Sequence, residues 1–150
     1  MSIIKLKEIE NSSENPVYAQ LGALLQELEK KTLSDEVVRS INQDIEELNS
    51  TSASGSSLEK LAKQKQTNIV KLVEKHHKIV PQNYYRNIWL AVGMSAIGLP
   101  IGTLFGLLMG NMALLAIGLP IGMGIGVVVG TNMDKKAAAE GRQLDIELKH

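Results

Sequence analysis

The chain contains no cysteine and few aromatic residues. Its 150 residues include one Trp, one Phe and three Tyr. The missing cysteines exclude a disulfide framework, a thiol nucleophile and a cysteine-based metal site. Residues 1–16 also lack the apolar run and the small-residue cleavage site of a secretory signal peptide, so we expect any membrane insertion to depend on an internal segment.

Charged residues are absent from one long stretch of the chain. Residues 87–133 form a run of 47 residues without Asp, Glu, Lys, Arg or His. The formal net charge of zero hides this segregation, because residues 1–57 hold ten acids against five bases and residues 58–87 hold seven bases against two acids. As one helix the uncharged run would reach about 70 Å, which excludes a single crossing of a hydrocarbon core about 30 Å thick.

Gly110 and Asn111 divide the uncharged run into two parts, and this residue pair is typical of a turn. The parts, residues 88–109 and 112–130, would be about 33 Å and 28 Å long as helices, so each matches a bilayer. We therefore predict an all-α chain with a two-span transmembrane hairpin over residues 88–131. The alternative is a soluble protein that buries the hairpin, for which the remaining amphipathic helices are too few.

The residues that flank the two spans predict their orientation. Tyr84, Tyr85 and Trp89 lie where the first span meets the membrane interface, and we expect them to act as interface anchors. Basic residues flank the open end of the hairpin while its turn has none, which predicts that both termini are cytoplasmic in a bacterial inner membrane. The side chains expected to contact anionic lipid headgroups are Lys71, Lys75, Lys78, Arg86, Lys135 and Lys136. The basic stretch lacks interleaved aromatic residues, so no nucleic-acid partner is expected.

Both spans carry the same heptapeptide, AIGLPIG, at residues 96–102 and again at residues 116–122. Around it, glycines recur every four residues, and in lipid such ladders allow helix backbones to approach closely. The residues of the two ladders are Gly98, Gly102, Gly106 and Gly110, and Gly118, Gly122, Gly126 and Gly130. The spacing leaves open whether the ladders pack within the hairpin or between subunits; we favour a homo-oligomer. Gly93 and Gly124 lie off the ladders and are available for a second contact.

Each heptapeptide contains a proline, Pro100 or Pro120, which removes a hydrogen bond from the helix. The favoured interpretation is a matched pair of kinks that lets both helices bend in parallel. The alternative is a pair of hinges whose freed carbonyl groups line a pathway.

The region before the spans is predicted to be helical. Residues 1–49 form an acidic hairpin of two amphipathic helices, residues 50–57 a Ser-rich linker, and residues 58–87 a basic juxtamembrane helix. The last helix has a heptad seam at Leu58, Ala62, Lys65, Ile69, Leu72, His76 and Ile79. The seam packs either on the preceding helices or on a second copy as a coiled coil. Residues 132–150 are predicted to form a polar cytoplasmic tail.

The glycine ladders and the polar sequence at residues 130–144, GTNMDKKAAAEGRQL, resemble the glycine-zipper segments of small bacterial two-span membrane proteins. This resemblance covers residues 88–144. It implies a membrane hairpin with tight helix packing and assigns no role to the helices before it.

The sequence also narrows the function. Neither span holds an ionisable residue, which excludes a proton or sodium relay of the usual kind. We find no nucleotide-binding or nucleophile motif, and we expect no enzymatic activity and no cofactor. The favoured function is a membrane scaffold or anchor that oligomerises through its glycine ladders and displays residues 1–80 to a cytoplasmic protein partner. The alternative is an oligomeric pore or channel, including a pore-forming toxin or defence effector.

Overall fold

The fold was taken from a computed structural model that describes residues 2–7 and 15–148. The described chain is helical and contains no β-strand, which confirms the predicted all-α class. The helices are α1 (Pro16–Glu29), α2 (Asp35–Ser50), α3 (Gly55–His77), α4 (Tyr84–Val92), α5 (Leu99–Leu108) and α6 (Leu115–Ala139). A π-helical turn, Gly93–Gly98, joins α4 to α5, and a short 3₁₀ turn, Met112–Leu114, precedes α6. The chain divides into two compact units, a bundle and a hairpin, at Pro81/Gln82 and Gln143/Leu144.

The bundle consists of α1, α2 and α3, in which α3 packs against both α1 and α2 and these two make no close backbone contact with each other. Its buried side chains recur at three- and four-residue intervals, as an amphipathic helix requires. On α1 and α2 they are Leu21, Leu24, Leu25, Leu28, Val37, Val38, Ile41, Ile45 and Leu48. The spacing of apolar residues predicts these stripes, together with Val17 at the start of α1. Val17 is half-buried, and Tyr18 beside it is buried instead.

Helix α3 follows the predicted heptad seam over its first half only. Leu58, Ala62, Lys65 and Ile69 are buried against α1 and α2. Beyond Ile69 the buried residues of α3 are Val70 and Val73, while Leu72 is half-buried and His76 is exposed. Ile79, the last seam position, is buried but lies after the end of the helix. The buried half of the seam is covered by helices of the same chain, so a second copy is not needed to cover it.

The boundaries of α3 differ from those predicted. The helix begins at Gly55, so that residues 51–54 alone connect it to α2 and the predicted Ser-rich linker is shorter than residues 50–57. It ends at His77 because Lys78 adopts a left-handed conformation with φ of 57°. A left-handed residue after the last helical turn commonly ends a helix, so termination occurs before Pro81.

The predicted polar tail is divided between the two units. Helix α6 continues to Ala139, and Asp134 and Ala137 on this extension are buried. Leu144 and Leu148 are buried in the bundle, where the Leu144 amide donates a hydrogen bond to the carbonyl oxygen of Val80 at 2.9 Å. The tail therefore contributes apolar side chains to the bundle core, which its polar composition does not indicate.

The hairpin contains two helical segments long and apolar enough to cross a membrane, Tyr84–Leu108 and Met112–Ala139. Both extend beyond the predicted limits at the open end of the hairpin. At the closed end, Gly110 has a φ of +64°, a conformation that favours glycine, and the Asn111 side chain accepts a hydrogen bond from the Ala113 amide at 3.0 Å. The turn is thus where the Gly-Asn pair predicts it.

Candidate helix-packing site

The candidate functional site is the interface between α4–α5 and α6, which is formed by glycines. Gly118 lies against Gly98 and Gly102 of the opposite helix, and Gly122 lies against Gly93 and Gly98. A methyl group added at any of these positions would overlap main-chain atoms of the opposite helix; at Gly98, the added carbon would lie 2.9 Å from the carbonyl oxygen of Gly118. Only glycine permits this separation of backbones.

The interface continues towards the open end of the hairpin without large side chains on α6. Gly126 lies against the backbone of Trp89 and Leu90, and Gly130 lies against the backbone of Tyr85 and Arg86. The α6 glycines are four residues apart throughout, so they form one face of a regular helix. The ladders therefore pack on each other within one chain, and this places the predicted helix-packing glycines, except Gly110, at an intramolecular interface.

The π-helical turn gives the first span a matching glycine face. Its glycines are spaced by four residues from Gly102 to Gly98, but by five from Gly98 to Gly93. In a regular α-helix residues five apart point in directions about 140° apart. The Leu99 amide instead donates to the carbonyl of Met94, five residues earlier, so the turn holds one extra residue and Gly93 faces α6 together with Gly98. Gly93 thus belongs to the main interface and is not a second contact.

The predicted pair of matched kinks stays a prediction, and the two prolines lie in different local structures. Pro100 directly follows the π-helical turn as the second residue of α5, and the backbone is helical on both sides of it, so its missing amide removes one helical hydrogen bond. Pro120 lies inside α6, which is assigned as one continuous helix. The cause of the difference is the register: α6 needs no extra residue, since its glycines are already four apart.

Two of the glycines predicted to belong to the ladders lie at or next to the turn of the hairpin. Gly110 would meet nothing within 4 Å if a methyl group were added, because it lies in the turn and not in the ladder. Gly106 contacts the Met112 side chain and the backbone of the turn. Gly124 is exposed and also has open space around it, so it stays available for a second contact.

Asp134 closes the interface at the open end of the hairpin. Its side chain is 6% exposed, and its two oxygens accept hydrogen bonds from the amides of Tyr85 at 3.0 Å and Arg86 at 2.9 Å. These amides belong to the first turn of α4, where helical partners are missing and the helix dipole favours a negative charge. The Asn83 side chain, at the N-cap position, makes no capping hydrogen bond. Asp134 of α6 therefore caps α4 across the hairpin.

The sequence analysis missed Asp134 because it assigned this residue to the polar tail. A signal for its role was nevertheless present. Asp134 follows Gly130 by four residues and so continues the ladder of Gly118, Gly122, Gly126 and Gly130. A carboxylate in register with a close-packed glycine face lies at backbone distance from the opposite helix, where amide hydrogens are the nearest donors.

The predicted interface anchors and basic residues lie at or near the surface. Tyr84, Tyr85 and Trp89 are half-buried on the first two turns of α4, and the two tyrosine rings meet edge to face with centroids 5.3 Å apart. The six basic residues predicted to contact lipid headgroups are exposed: Lys71, Lys75, Lys78, Arg86, Lys135 and Lys136. Lys78 is 3.4 Å from Glu74, and Lys136 is 4.0 Å from Glu140.

Comparison with models of protein families, with curated proteins and with solved structures gave no match. The resemblance to two-span glycine-zipper proteins therefore stays a prediction. In residues 2–7 and 15–148, no group of three or more His, Cys, Asp or Glu side chains is placed to hold a metal ion. The functional argument consequently rests on the geometry of the two units.

Proposed function

We propose that this chain is a non-enzymatic membrane anchor in which the hairpin crosses a bilayer and the bundle is displayed to a protein partner. The observation that carries the proposal is the distribution of side chains on the hairpin, where glycines face inward and large apolar side chains face outward. The exposed large apolar residues from the hairpin are Ile88, Val92, Leu99, Leu104, Phe105, Leu107, Leu108, Met109, Met112, Ile117, Ile121, Met123, Ile125 and Val128. Such a surface is unfavourable in water and favourable in hydrocarbon.

The orientation follows from where the chain enters and leaves the hairpin. The chain enters the hairpin after Pro81 and leaves it at Gln143, and both points lie at the open end of the hairpin. The bundle is therefore proposed to lie on the side of the membrane where the open end emerges. Basic residues on that side, Arg86, Lys135 and Lys136 among them, favour the cytoplasmic face of a bacterial inner membrane. Each adds roughly 1 kcal/mol of attraction to anionic headgroups close to the surface.

Homo-oligomerisation remains part of the proposal, but with a different interface from the one the ladders suggest. The ladder faces are occupied within the hairpin, so a neighbouring copy would have to pack on an outer face. Gly124 marks such a face, because it is exposed and has nothing within 4 Å of an added methyl group. The anchor function itself does not require an oligomer.

The hydroxyl groups of the spans favour the anchor over the pore. Ser95 donates to the carbonyl oxygen of Ala91 at 2.9 Å, and Thr103 donates to that of Leu99 at 2.8 Å. Hydroxyls that donate to their own helix offer less to a water column than free ones. Backbone contact along the ladders also leaves no passage inside one hairpin.

Cysteine labelling in vesicles tests the proposal, and the chain is suited to it because it has no cysteine of its own. We choose Asn111→Cys in the turn, Lys71→Cys on the bundle and Gly124→Cys in the middle of the second span. A membrane-impermeant maleimide added outside sealed vesicles should label the turn and bundle positions from opposite sides. Gly124→Cys should react with neither external nor enclosed reagent, although its position is exposed on the protein.

Position 124 is the decisive one. A soluble protein would expose Gly124→Cys to water, so rapid labelling there would overturn the membrane proposal. Labelling of Asn111→Cys and Lys71→Cys from the same side would overturn the hairpin topology instead. Planar-bilayer recordings of the purified chain complete the test, since steady unitary currents would replace the anchor by the pore.

A further inference from the structure

Residues 2–7, with the sequence SIIKLK, lie along α2 and are held there by side-chain amides. The Asn42 side chain makes two hydrogen bonds to the main chain of this segment. Its Nδ2 donates to the carbonyl oxygen of Ser2 at 3.0 Å, and its Oδ1 accepts from the amide of Ile4 at 2.8 Å. One amide group thus binds a carbonyl and the amide two residues further on.

Asn49 repeats the same pair of contacts further along the segment. Its Nδ2 donates to the carbonyl oxygen of Lys5 at 3.2 Å, and its Oδ1 accepts from the amide of Lys7 at 2.8 Å. The Tyr18 hydroxyl of α1 donates to the carbonyl oxygen of Lys7 at 2.7 Å. All five hydrogen bonds use main-chain atoms of the segment, so they would form with many different sequences. We call Asn42, Asn49 and Tyr18 the main-chain clamp.

The repeat of the clamp matches the repeat of an extended chain. Asn42 and Asn49 are seven residues apart, which places them on one face of α2 about 10.5 Å apart along the helix axis. The groups that they bind are three residues apart in the segment, and three residues of a polyproline II helix span about 9.3 Å. Two helical turns and three extended residues therefore agree to about 1 Å, which lets one helix bind an extended peptide at two successive points.

Asn42 would be unfavourable without an occupant. It is 7% exposed and lies beside the apolar stripe of α2. A buried side-chain amide costs free energy unless it is hydrogen-bonded, and the bonds to Ser2 and Ile4 meet that need. The segment in turn places Ile3 in a buried position and Leu6 in a half-buried one, while Ile4, Lys5 and Lys7 are exposed. The clamp should therefore distinguish between peptides mainly by their side chains at the positions of Ile3 and Leu6.

We propose that the main-chain clamp is a binding site for an extended peptide of a partner protein, and that residues 2–7 occupy it when the partner is absent. The peptide would carry apolar residues at the positions of Ile3 and Leu6. Basic residues between and after them, like the two lysines of the segment, would suit the acidic charge of α2. That helix holds five acids against one base, and Lys65 pairs with two of the acids, Asp44 and Glu47. This proposal identifies the partner class of the proposed anchor, and to that extent it rests on the anchor function.

A second copy of the chain is a poorer occupant than a partner protein. Its segment has the same sequence, and it competes with a covalently linked one whose effective concentration is on the order of millimolar. A partner peptide can instead gain affinity at the position of Leu6, where the linked segment is only half-buried. Binding of the partner would then release residues 2–7.

The test measures binding of a fluorescent SIIKLK peptide by anisotropy to the detergent-solubilised chain that lacks residues 2–7. The peptide should bind this variant at least about tenfold more tightly than the intact chain, whose own segment competes. A peptide that carries N-methyl-Ile in place of Ile4 keeps every side chain but lacks the hydrogen that Asn42 accepts. Its affinity should fall about tenfold, which corresponds to the loss of one buried hydrogen bond. Asn42→Ala, which removes both hydrogen bonds of this side chain, should reduce binding at least as much, whereas Gln43→Ala, an exposed neighbour on α2, should not.

Equal binding of the plain and N-methylated peptides would overturn the clamp without depending on the folding of any variant. Absence of binding to the truncated chain would also overturn it, as would crosslinks of the segment that form only between copies. These readings are independent of the bilayer, because they are made in detergent. If the peptide fails to bind but cysteine labelling gives the expected topology, the clamp is wrong and the anchor stands. If the peptide binds but cysteine labelling contradicts the topology, the anchor is wrong and the clamp stands.

Discussion

In the bundle, large side chains fill the space between helices and polar residues face outward; in the hairpin, glycines fill the interface and large side chains face outward. Leu24, Ile41 and Ile69 are each completely buried in the bundle. At the interface of the hairpin the buried residues of α6 are Gly118, Gly122, Gly126 and Gly130, followed by Asp134 and Ala137. Water drives the first arrangement, whereas in hydrocarbon close backbone contact has to replace that driving force.

The two copies of AIGLPIG allow a second comparison, between two segments of identical sequence within the hairpin. Identical residues form a π-helical turn followed by α5 in the first copy and part of the continuous α6 in the second. The first copy is preceded by a glycine of the same span, Gly93, whereas no glycine precedes the second copy within α6. Gly93 precedes Gly98 by five residues, and the backbone takes up an extra residue so that both face Gly122. The register of the interface therefore decides the local conformation, and the heptapeptide does not.

The largest effect is expected from adding atoms to the hairpin interface. Gly122→Leu places a side chain against the backbone of Gly93 and Gly98, so the loss of packing energy should exceed the roughly 1–3 kcal/mol typical of overpacked cores. Gly124→Leu, two residues away, faces open space and is the matched control. Pulsed electron resonance between labels at Leu104→Cys and Ile117→Cys should report separated helices in the first variant alone. Equal distances in both variants would show that the interface is misplaced.

In the bundle the large effect comes from removing atoms. Leu24→Ala leaves a cavity among completely buried side chains and should lower the free energy of unfolding by about 3 kcal/mol. Denaturant unfolding followed by circular dichroism measures it, with Glu29→Ala on the exposed side of α1 as the control. A cost similar to that of the control would mean that α1 is not packed as described.

Loss of the cross-hairpin cap should have an intermediate effect. Asp134→Ala leaves the amides of Tyr85 and Arg86 without their acceptor and should cost about 1–2 kcal/mol. Hydrogen exchange at these two amides should accelerate, and Asp134→Asn, which keeps one acceptor oxygen, should lie between. The neighbouring exposed variant Lys135→Ala provides the baseline. Unchanged exchange in Asp134→Ala would contradict the cap.

The smallest expected effect concerns the bundle alone, whose free energy of unfolding should fall at alkaline pH. Burial would lower the pKa of Lys65, but the hydrogen bonds of its ammonium group to Asp44 and Glu47 outweigh burial and raise the pKa. A raised folded-state pKa adds stability below the ordinary value, and this contribution is lost as pH rises through the folded value. The bundle should therefore lose about 1 kcal/mol or less above roughly pH 10.5. Lys65→Met should reduce this loss and leave the part that comes from Tyr18, whose pKa burial also raises. A loss of unchanged size in Lys65→Met would assign it entirely to other groups.

The sequence predicted those features that depend on periodicity. The stripes of α1 and α2, the glycine ladders and the turn at Gly110 follow from residue spacing and the chemistry of single residues. Features that depend on a distant partner were not predicted. Lys65 appeared to interrupt a seam because Asp44 and Glu47, its ion-pair partners, lie on another helix. Leu144 and Leu148 lie in the short alternating sequence LDIEL, which is too brief to mark them as core of a helical bundle.

The candidate site was predicted in its members but not in its geometry. A four-residue ladder shows that a helix face is smooth, yet it does not say which helix covers that face. The five-residue step from Gly93 to Gly98 was visible in the sequence, and only the facing glycines of α6 give it meaning. Asp134 was overlooked for the same reason, since its acceptor role needs the first turn of α4 opposite.

The central claim is that the outer face of the hairpin lies in lipid, and the accessibility of a spin label at Ile125→Cys tests it most directly. Ile125 is 43% exposed on the surface of α6, beside the glycine face. In vesicles the label should collide frequently with molecular oxygen, which concentrates in hydrocarbon, and rarely with a water-soluble nickel complex. Frequent collision with nickel would contradict the account by showing that this face meets water.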